Sequence, residues 1–261
     1  MIYVCVPVKN NAATVGLLLW KVRQVFGQST REYQLLVTDD GSSDETPDVL
    51  QRYQRALPLT VVRPEMPGPA AAYAALLAEA VRRSDRLKRD TAVLIPADFR
   101  ISPEGIPELL RRIESGADLA VADTPAEGLP PAWRLLRRLT PWLLRPGVRV
   151  PGVRDFLSGC LAVRLVTARG AFRDRNGGPF LETDDLAARA ELVACLAAAA
   201  RQTAGVPLPC VHPAALSISA ALALALRLRR LGRTLRPGIA EPRLPDEAPA
   251  PPASPARSRA S

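Results

Sequence analysis

Several short strings in this sequence bring together side chains that can do chemistry. The densest is Asp39-Asp40-Gly41-Ser42-Ser43-Asp44-Glu45-Thr46. Adjacent carboxylates can accept hydrogen bonds from a uracil or guanine N–H and from ribose hydroxyls. The glycine and serines behind them let the chain turn tightly. The same residue types also form an Asx turn that caps a following helix, so the string alone supports either reading. Upstream lies Pro7-Val8-Lys9-Asn10-Asn11, and downstream a single acid, Asp98, follows Pro96-Ala97. Asp155-Phe156-Leu157-Ser158-Gly159-Cys160 sets a carboxylate before small residues that bring backbone close to a ligand, or that form an Asp-capped turn. Glu182-Thr183-Asp184-Asp185 precedes a helix, where acids also favour the dipole. There Asp184 is a candidate general base, which transfer to a hydroxyl needs and transfer to an anionic phosphate does not. His212 is the only histidine, and a structural role is the plainer reading.

The elements that position these strings alternate. Apolar, β-branched runs predict strands over 2–8, 34–38, 59–62, 92–95 and 118–122. Helical spacing predicts helices over 15–26 and 70–81, and a further helix capped by Thr46 with Pro47 in its first turn, running to 56. Ser102-Pro103-Glu104 opens another. This order predicts an α/β fold with a mostly parallel sheet and helices on both faces. The polar strings then fall at the carboxyl ends of strands, where such sheets bind ligands. The second half is less regular, with strands at 160–163 and 206–211 and helices at 186–200 and 214–231. We read one domain over 1–236, with a nucleotide-binding half at about 1–124 and an acceptor half at about 125–236. The Pro-, Ala-, Ser- and Arg-rich stretch 237–261 is predicted to be a disordered tail.

A hydrophobic share of 48% is ample for a core, although aromatics are only 5%. Basic residues outnumber acidic ones 35 to 26, a net charge of +9, which favours anionic partners. No recognised nucleic-acid module accompanies that charge, so nucleic acid is not expected as a partner. Cys5, Cys160, Cys195 and Cys210 lie in apolar stretches without CxxC spacing. They read as small buried hydrophobes of a reducing, cytoplasmic protein and not as a zinc site. Met1-Ile2-Tyr3-Val4 reads as a strand and not as a signal peptide. The run 214–226 falls short of the roughly 20 residues that span a bilayer, so no transmembrane helix is expected. The segment 130–154 mixes Arg134, Arg137, Arg138, Arg145, Arg149 and Arg154 with Trp133 and Trp142 and contains no acid. It suits a membrane interface carrying anionic lipid, or a helix packed on the sheet.

In this order the strings resemble the family 2 glycosyltransferases of GT-A fold, closest to the dolichyl-phosphate mannosyltransferase branch. That family has a strand ending Pro-x-x-Asn and another ending Asp-Asp-Gly-Ser-x-Asp-x-Thr, which match Pro7 to Asn10 and Asp39 to Thr46. The loop of Gly68 is similar to its Gly loop. Asp155 to Gly159 looks like its Asp-x-x-Ser-Gly string, with Cys160 where phenylalanine is usual. The likeness covers about 2–211. It implies a UDP- or GDP-sugar donor, with Pro7, Val8 and Asp39 at the base, and Asn10 and Asp40 beside the nucleotide. The family's Asp-x-Asp stands here as Pro96-Ala97-Asp98, so Asp98 would be the carboxylate that holds Mg²⁺ or Mn²⁺ on the diphosphate. Asp155 would face the donor or acceptor side, a catalytic place shared with Asp184. The implied reaction moves the sugar, with inversion, to an acceptor. The string at 155–159 and the basic Trp segment favour a polyprenyl phosphate. The loss of the first aspartate leaves a second reading open, a non-catalytic nucleotide-sugar-binding relative. A nucleotidyltransferase is excluded, because Lys9-Asn10-Asn11 supplies no Gly-rich basic loop.

Overall fold

The computed structural model describes residues 1–144, 148, 150–174, 178–211 and 216–235. β1 (Ile2–Val8) shows how the sheet acquires two buried faces. Successive strand side chains point to opposite sides. Ile2, Val4, Val6 and Val8 enter one core layer with α1 (Ala12–Gly27), α2 (Thr46–Gln54) and α4 (Ile106–Glu114). Tyr3 and Cys5 enter the other, with α3 (Pro69–Arg83), α5 (Pro131–Leu143), α6 (Leu165–Arg173), α7 (Ala187–Ala199) and α8 (Ile218–Thr234). A strand apolar at every position is the signature of a sheet covered on both faces.

The remaining strands are β2 (Tyr33–Asp39), β3 (Leu59–Val62), β4 (Thr91–Leu94), β5 (Leu119–Asp123), β6 (Leu161–Arg164) and β7 (Thr203–Pro207). Their order in the seven-stranded sheet is β3-β2-β1-β4-β6-β5-β7. β1 pairs in parallel with β2 and β4, β2 with β3, and β5 with β7. β6 runs antiparallel to both its neighbours. The chain moves outward from β1 to β3, then crosses to β4 on the other side. A switch of this kind opens a crevice at the carboxyl ends of β1 and β4.

The predicted mostly parallel sheet is therefore present, with three local differences. Thr46 is the first residue of α2 and not its cap. Its hydroxyl accepts the Asn11 N–H at 3.0 Å, and Asp44 accepts the Thr46 N–H instead. α6 was not anticipated, because Val166, Thr167 and Gly170 weaken its helical signal. Burial of Leu165, Ala168 and Ala171 against α3 and α7 stabilises it. β7 begins before the predicted 206, because Thr203–Pro207 pairs with Leu119–Asp123. Gly205 there lies so close to the Gly152 carbonyl that no Cβ would fit. In α8, Ser217 is the cap, its hydroxyl accepting the Ala220 N–H at 3.2 Å. The predicted start at 214, His212, Arg145, Arg149 and the tail beyond 235 lie outside the described residues. No described helix is long and apolar enough to cross a membrane.

Candidate functional site

The loops after β1 and β2 are fastened to each other. Asn10, at φ 52°, accepts the Ser43 N–H through Oδ1 at 2.8 Å and donates its own N–H to Ser42 Oγ at 2.8 Å. Ala12 N–H donates to Asp44 Oδ2 at 3.0 Å. Asp39 Oδ1 accepts both the N–H and the hydroxyl of Ser42. Asn10 thus shapes the turn, while Asp39, half-buried at the strand end, keeps Oδ2 without a hydrogen-bond partner among the described residues.

Asp40 joins a third loop to these two. It is 6% exposed. Its N–H donates to the Val8 carbonyl at 2.9 Å, its Oδ2 meets Lys9 Nζ at 3.0 Å, and its Oδ1 accepts the Gly68 N–H at 2.6 Å. A buried carboxylate needs such partners, since desolvation without them is costly. Gly68 sits at φ 121°, ψ 154°, a backbone region essentially closed to other residues. Two concavities open on this knot. A groove of about 650 Å³ runs past Asp39, Gly41, Leu50 and Val61 to Arg63. A cleft of about 360 Å³ is lined by Pro7, Val8, Lys9, Tyr73, Asp98 and Arg189, together with Asp40 and Asp185. The first sets the unpartnered Asp39 Oδ2 beside the apolar Leu50 and Val61. The second lies at the switch between β1 and β4, the place where such sheets take ligands.

The predicted acids do not all meet there. Asp98 lines the cleft just before Phe99, a non-glycine residue held at φ 57°. Asp184 is exposed beside Gly68 on the rim of a separate apolar groove along α3. Asp155 lies apart, in a small enclosed cavity with Arg100 and Arg137. Its Oδ1 accepts the Leu157 N–H at 2.9 Å, and burial pushes its carboxyl up, against hydrogen bonds from Leu157 and Thr124. The structure thus gives Asp155 the turn-forming geometry and does not bring it together with Asp184. Arg100 stacks on Trp133 at 4.2 Å, and burial lowers its pKa.

Lys9, Tyr73 and Arg189 were not singled out from the sequence. Arg189 and Glu191 did leave a signal, as two charged residues inside an otherwise Ala-, Leu- and Val-rich helix. Charged groups in such helices are paired when buried. Glu191, fully buried, accepts the backbone N–H of Glu182 and of Thr183 at 2.9 Å, and so fixes the loop carrying Asp184.

A divalent cation on a diphosphate needs carboxylate oxygens with charge to spare. Pro96 supplies none. Asp98 Oδ1 accepts the Arg100 N–H at 3.2 Å, and its Oδ2 faces Arg189 Nη2 at 3.4 Å. Asp40 is paired with Lys9, and Asp185 with Arg227. Every carboxylate lining the cleft already faces a cation. Among the described residues no three His, Cys, Asp or Glu side chains gather as metal ligands. As they are paired, these donors offer a divalent cation no free carboxylate, so the set fits one poorly.

A mostly parallel sheet between two helical layers, with carboxylate-bearing loops at its switch point, defines an α/β protein of the doubly wound kind. The sequence pattern of Glycosyl transferase family 2 matches residues 3–168, and the chain belongs to that family. It is 28% identical over 134 residues to an undecaprenyl-phosphate 4-deoxy-4-formamido-L-arabinose transferase of Pseudomonas aeruginosa, covering 51% of this chain and 38% of that protein. It is 26% identical over 144 residues to a dolichol-phosphate mannosyltransferase of Pyrococcus furiosus, covering 53% of this chain and 39% of that one. The matched stretches thus span less than two fifths of either relative. Among solved structures, glucosyl-3-phosphoglycerate synthase of Mycobacterium tuberculosis, in complex with Mn²⁺, UDP-glucose and phosphoglyceric acid, aligns with a TM-score of 0.62 at 19% identity. That alignment covers 87% of this chain and 77% of that one. TarS of S. aureus, in complex with UDP-GlcNAc, aligns with a TM-score of 0.56 at 17% identity, covering 88% and 66%. These two establish the GT-A-like fold.

Proposed function

We propose that this chain transfers a sugar from a UDP- or GDP-sugar to a polyprenyl phosphate. One observation carries the reading: three loops from different parts of the chain meet at one buried carboxylate, that of Asp40, beside a groove of about 650 Å³, roomy enough for a nucleoside. Asp39 takes the base or ribose through its unpartnered Oδ2. Pro7 and Val8 form the floor of the cleft, Asn10 holds the loop, and Asp98 marks the diphosphate end. Residues 1–124 form the donor half and 125–236 the acceptor half. An anionic phosphate acceptor needs no general base, which suits a cleft whose acids are already paired. Asp184, on the exposed rim, is the base this reading reserves for a hydroxyl acceptor. The relatives named as transferases to undecaprenyl and dolichol phosphate favour the lipid acceptor, and they favour catalysis over binding alone.

The acceptor half also carries the surface such an acceptor requires. On α5, Leu135 and Trp142 are exposed, and on α8 so are Ile218, Leu222 and Leu226. α5 and α8 pack together, and neither contains an acid. Exposed Arg134, Arg138, Arg229, Arg230 and Arg233 are interleaved with these apolar residues. Arginine among exposed aliphatic and Trp side chains is the composition of a helix lying in a membrane interface. We place the protein at such a surface.

The experiment is a transfer assay with UDP- and GDP-sugars, undecaprenyl or dolichyl phosphate, and vesicles containing anionic lipid. Calorimetry with each nucleotide accompanies it. Sugar appearing in the lipid fraction, dependent on one donor, supports the reading. Failure of every nucleoside diphosphate to bind the folded protein would overturn it.

A further inference from the structure

We infer that the donor's diphosphate is neutralised in this protein by a fixed guanidinium, that of Arg189, assisted by Lys9, in place of a divalent cation. The inference rests on the donor reading above and concerns the same cleft.

Arg189 and Lys9 both line the 360 Å³ cleft that continues from the nucleoside groove past Asp40. The Arg189 side chain is 15% exposed, so it is largely buried yet borders the cleft. Burial opposes its charge, while Tyr73 and Asp98 favour it, and the balance holds its pKa above the usual arginine value. The group is a permanent cation with a planar fork that matches two phosphate oxygens at once.

Its contacts with two backbone carbonyls and with Asp98 are loose. Nη1 reaches the Leu157 and Ser158 carbonyls at 3.3 and 3.5 Å, and Nη2 reaches Asp98 at 3.4 Å. A well-made N–H···O bond is about 2.9 Å. Phosphate oxygens can therefore replace these acceptors without dismantling a tight network.

Pro96 belongs to the same arrangement. A Cβ placed on Gly159 would lie 3.0 Å from Pro96 Cγ and 3.0 Å from Arg189 Cδ and Nε. Pro96 and the Arg189 stem, which both line the cleft, thus close together over Gly159. A dication beside Asp98 would also sit next to the guanidinium, and like charges at that range repel strongly in a partly buried site. Pro96 is in this view matched to Arg189.

The test is calorimetric binding of UDP and GDP to the full chain in EDTA and in Mn²⁺. It is repeated for Arg189→Gln and Arg189→Lys, with melting temperature as the folding control. Wild type should bind its diphosphate in EDTA within about threefold of its affinity in Mn²⁺, under 1 kcal/mol. Arg189→Gln should lose about ten- to a hundredfold for the diphosphate, the worth of a charged hydrogen bond, and leave the free nucleoside unchanged. Arg189→Lys should recover part of that loss, still in EDTA. Should Arg189→Gln not fold, the lysine variant and the wild-type EDTA comparison carry the test. Wild-type binding that disappears in EDTA and returns with Mn²⁺ overturns the inference and leaves the donor reading standing. So does a folded Arg189→Gln that binds like wild type. Absence of nucleotide binding under every condition overturns both.

Discussion

Gly68→Ala probes the site through one missing methyl group. Gly68 holds φ 121° and ψ 154°, and donates its N–H to Asp40 Oδ1 at 2.6 Å. Forcing alanine into that region costs about 1–3 kcal/mol. For a domain of this size that is a fall of about 2–12 °C in melting temperature. The new Cβ would also stand 2.9 Å from Asp184 Cγ. Asp184 is exposed and can swing away, so this clash adds little. The backbone instead relaxes, and the charged hydrogen bond to Asp40, worth about 1.5–3 kcal/mol, is strained or lost. The Asp40 carboxylate then keeps only Lys9, and the Gly68 loop is no longer tied to it. The expected result is a moderate loss of stability and a larger loss of nucleotide affinity, about tenfold or more. Scanning fluorimetry and calorimetry on the same samples read both. Combining the change with Asp184→Ala separates the causes: no recovery is expected, because backbone strain and not the carboxylate dominates. A Gly68→Ala protein that melts with wild type and binds nucleotide unchanged would refute the reasoning, as would full recovery in the double variant.

Asp39→Ala should weaken nucleotide binding by about ten- to a hundredfold with a normal melting profile, and unchanged calorimetric affinity would place the nucleoside elsewhere. Glu191→Ala leaves the Glu182 and Thr183 N–H groups without their buried acceptor, at about 1–3 kcal/mol each. It should both lower the melting temperature and raise hydrogen exchange in 182–185, and exchange unchanged in that loop would count against the assignment. Gly205→Ala would drive a methyl into the Gly152 carbonyl across the β7 edge. It should give little soluble folded protein, and a wild-type melting curve would contradict this packing. The Arg82 hydrogen bond, with help from Arg83, holds the Glu79 carboxyl down to about 2 from an ordinary 4.5. A depressed carboxylate stabilises above its unfolded pKa, and the benefit fades as pH falls from about 4.5 toward 2. Glu79→Gln should therefore melt below wild type at pH 7 and with it near pH 2, and a constant gap across that range would rule out the ion pair as its cause.

Much of this architecture was legible in the chain because its causes are local. β1 is marked by a β-branched run closed by Pro7 and Val8, and β3 by 59–62, and both strands occupy the expected residues. The Asp39–Thr46 string showed where a carboxylate-bearing turn must fall, since turn chemistry depends on neighbours a few positions apart. α6 did not show, because its helicity comes from burying Leu165, Ala168 and Ala171 and not from its residue preferences. The antiparallel insertion of β6 between β4 and β5 is likewise invisible to a pattern read along one strand. The division of labour among the acids was decided only in three dimensions. In sequence Asp39, Asp40, Asp98, Asp155 and Asp184 are carboxylates beside turns. The fold buries Asp40 under Gly68 and Lys9, encloses Asp155 in its own turn, and leaves Asp184 on the rim. It also brings Arg189, ninety-one positions away in the chain, against Asp98. What a carboxylate can do depends on which cations and N–H groups lie within a few ångströms, and in this protein those partners come from distant segments that only the closed sheet brings together.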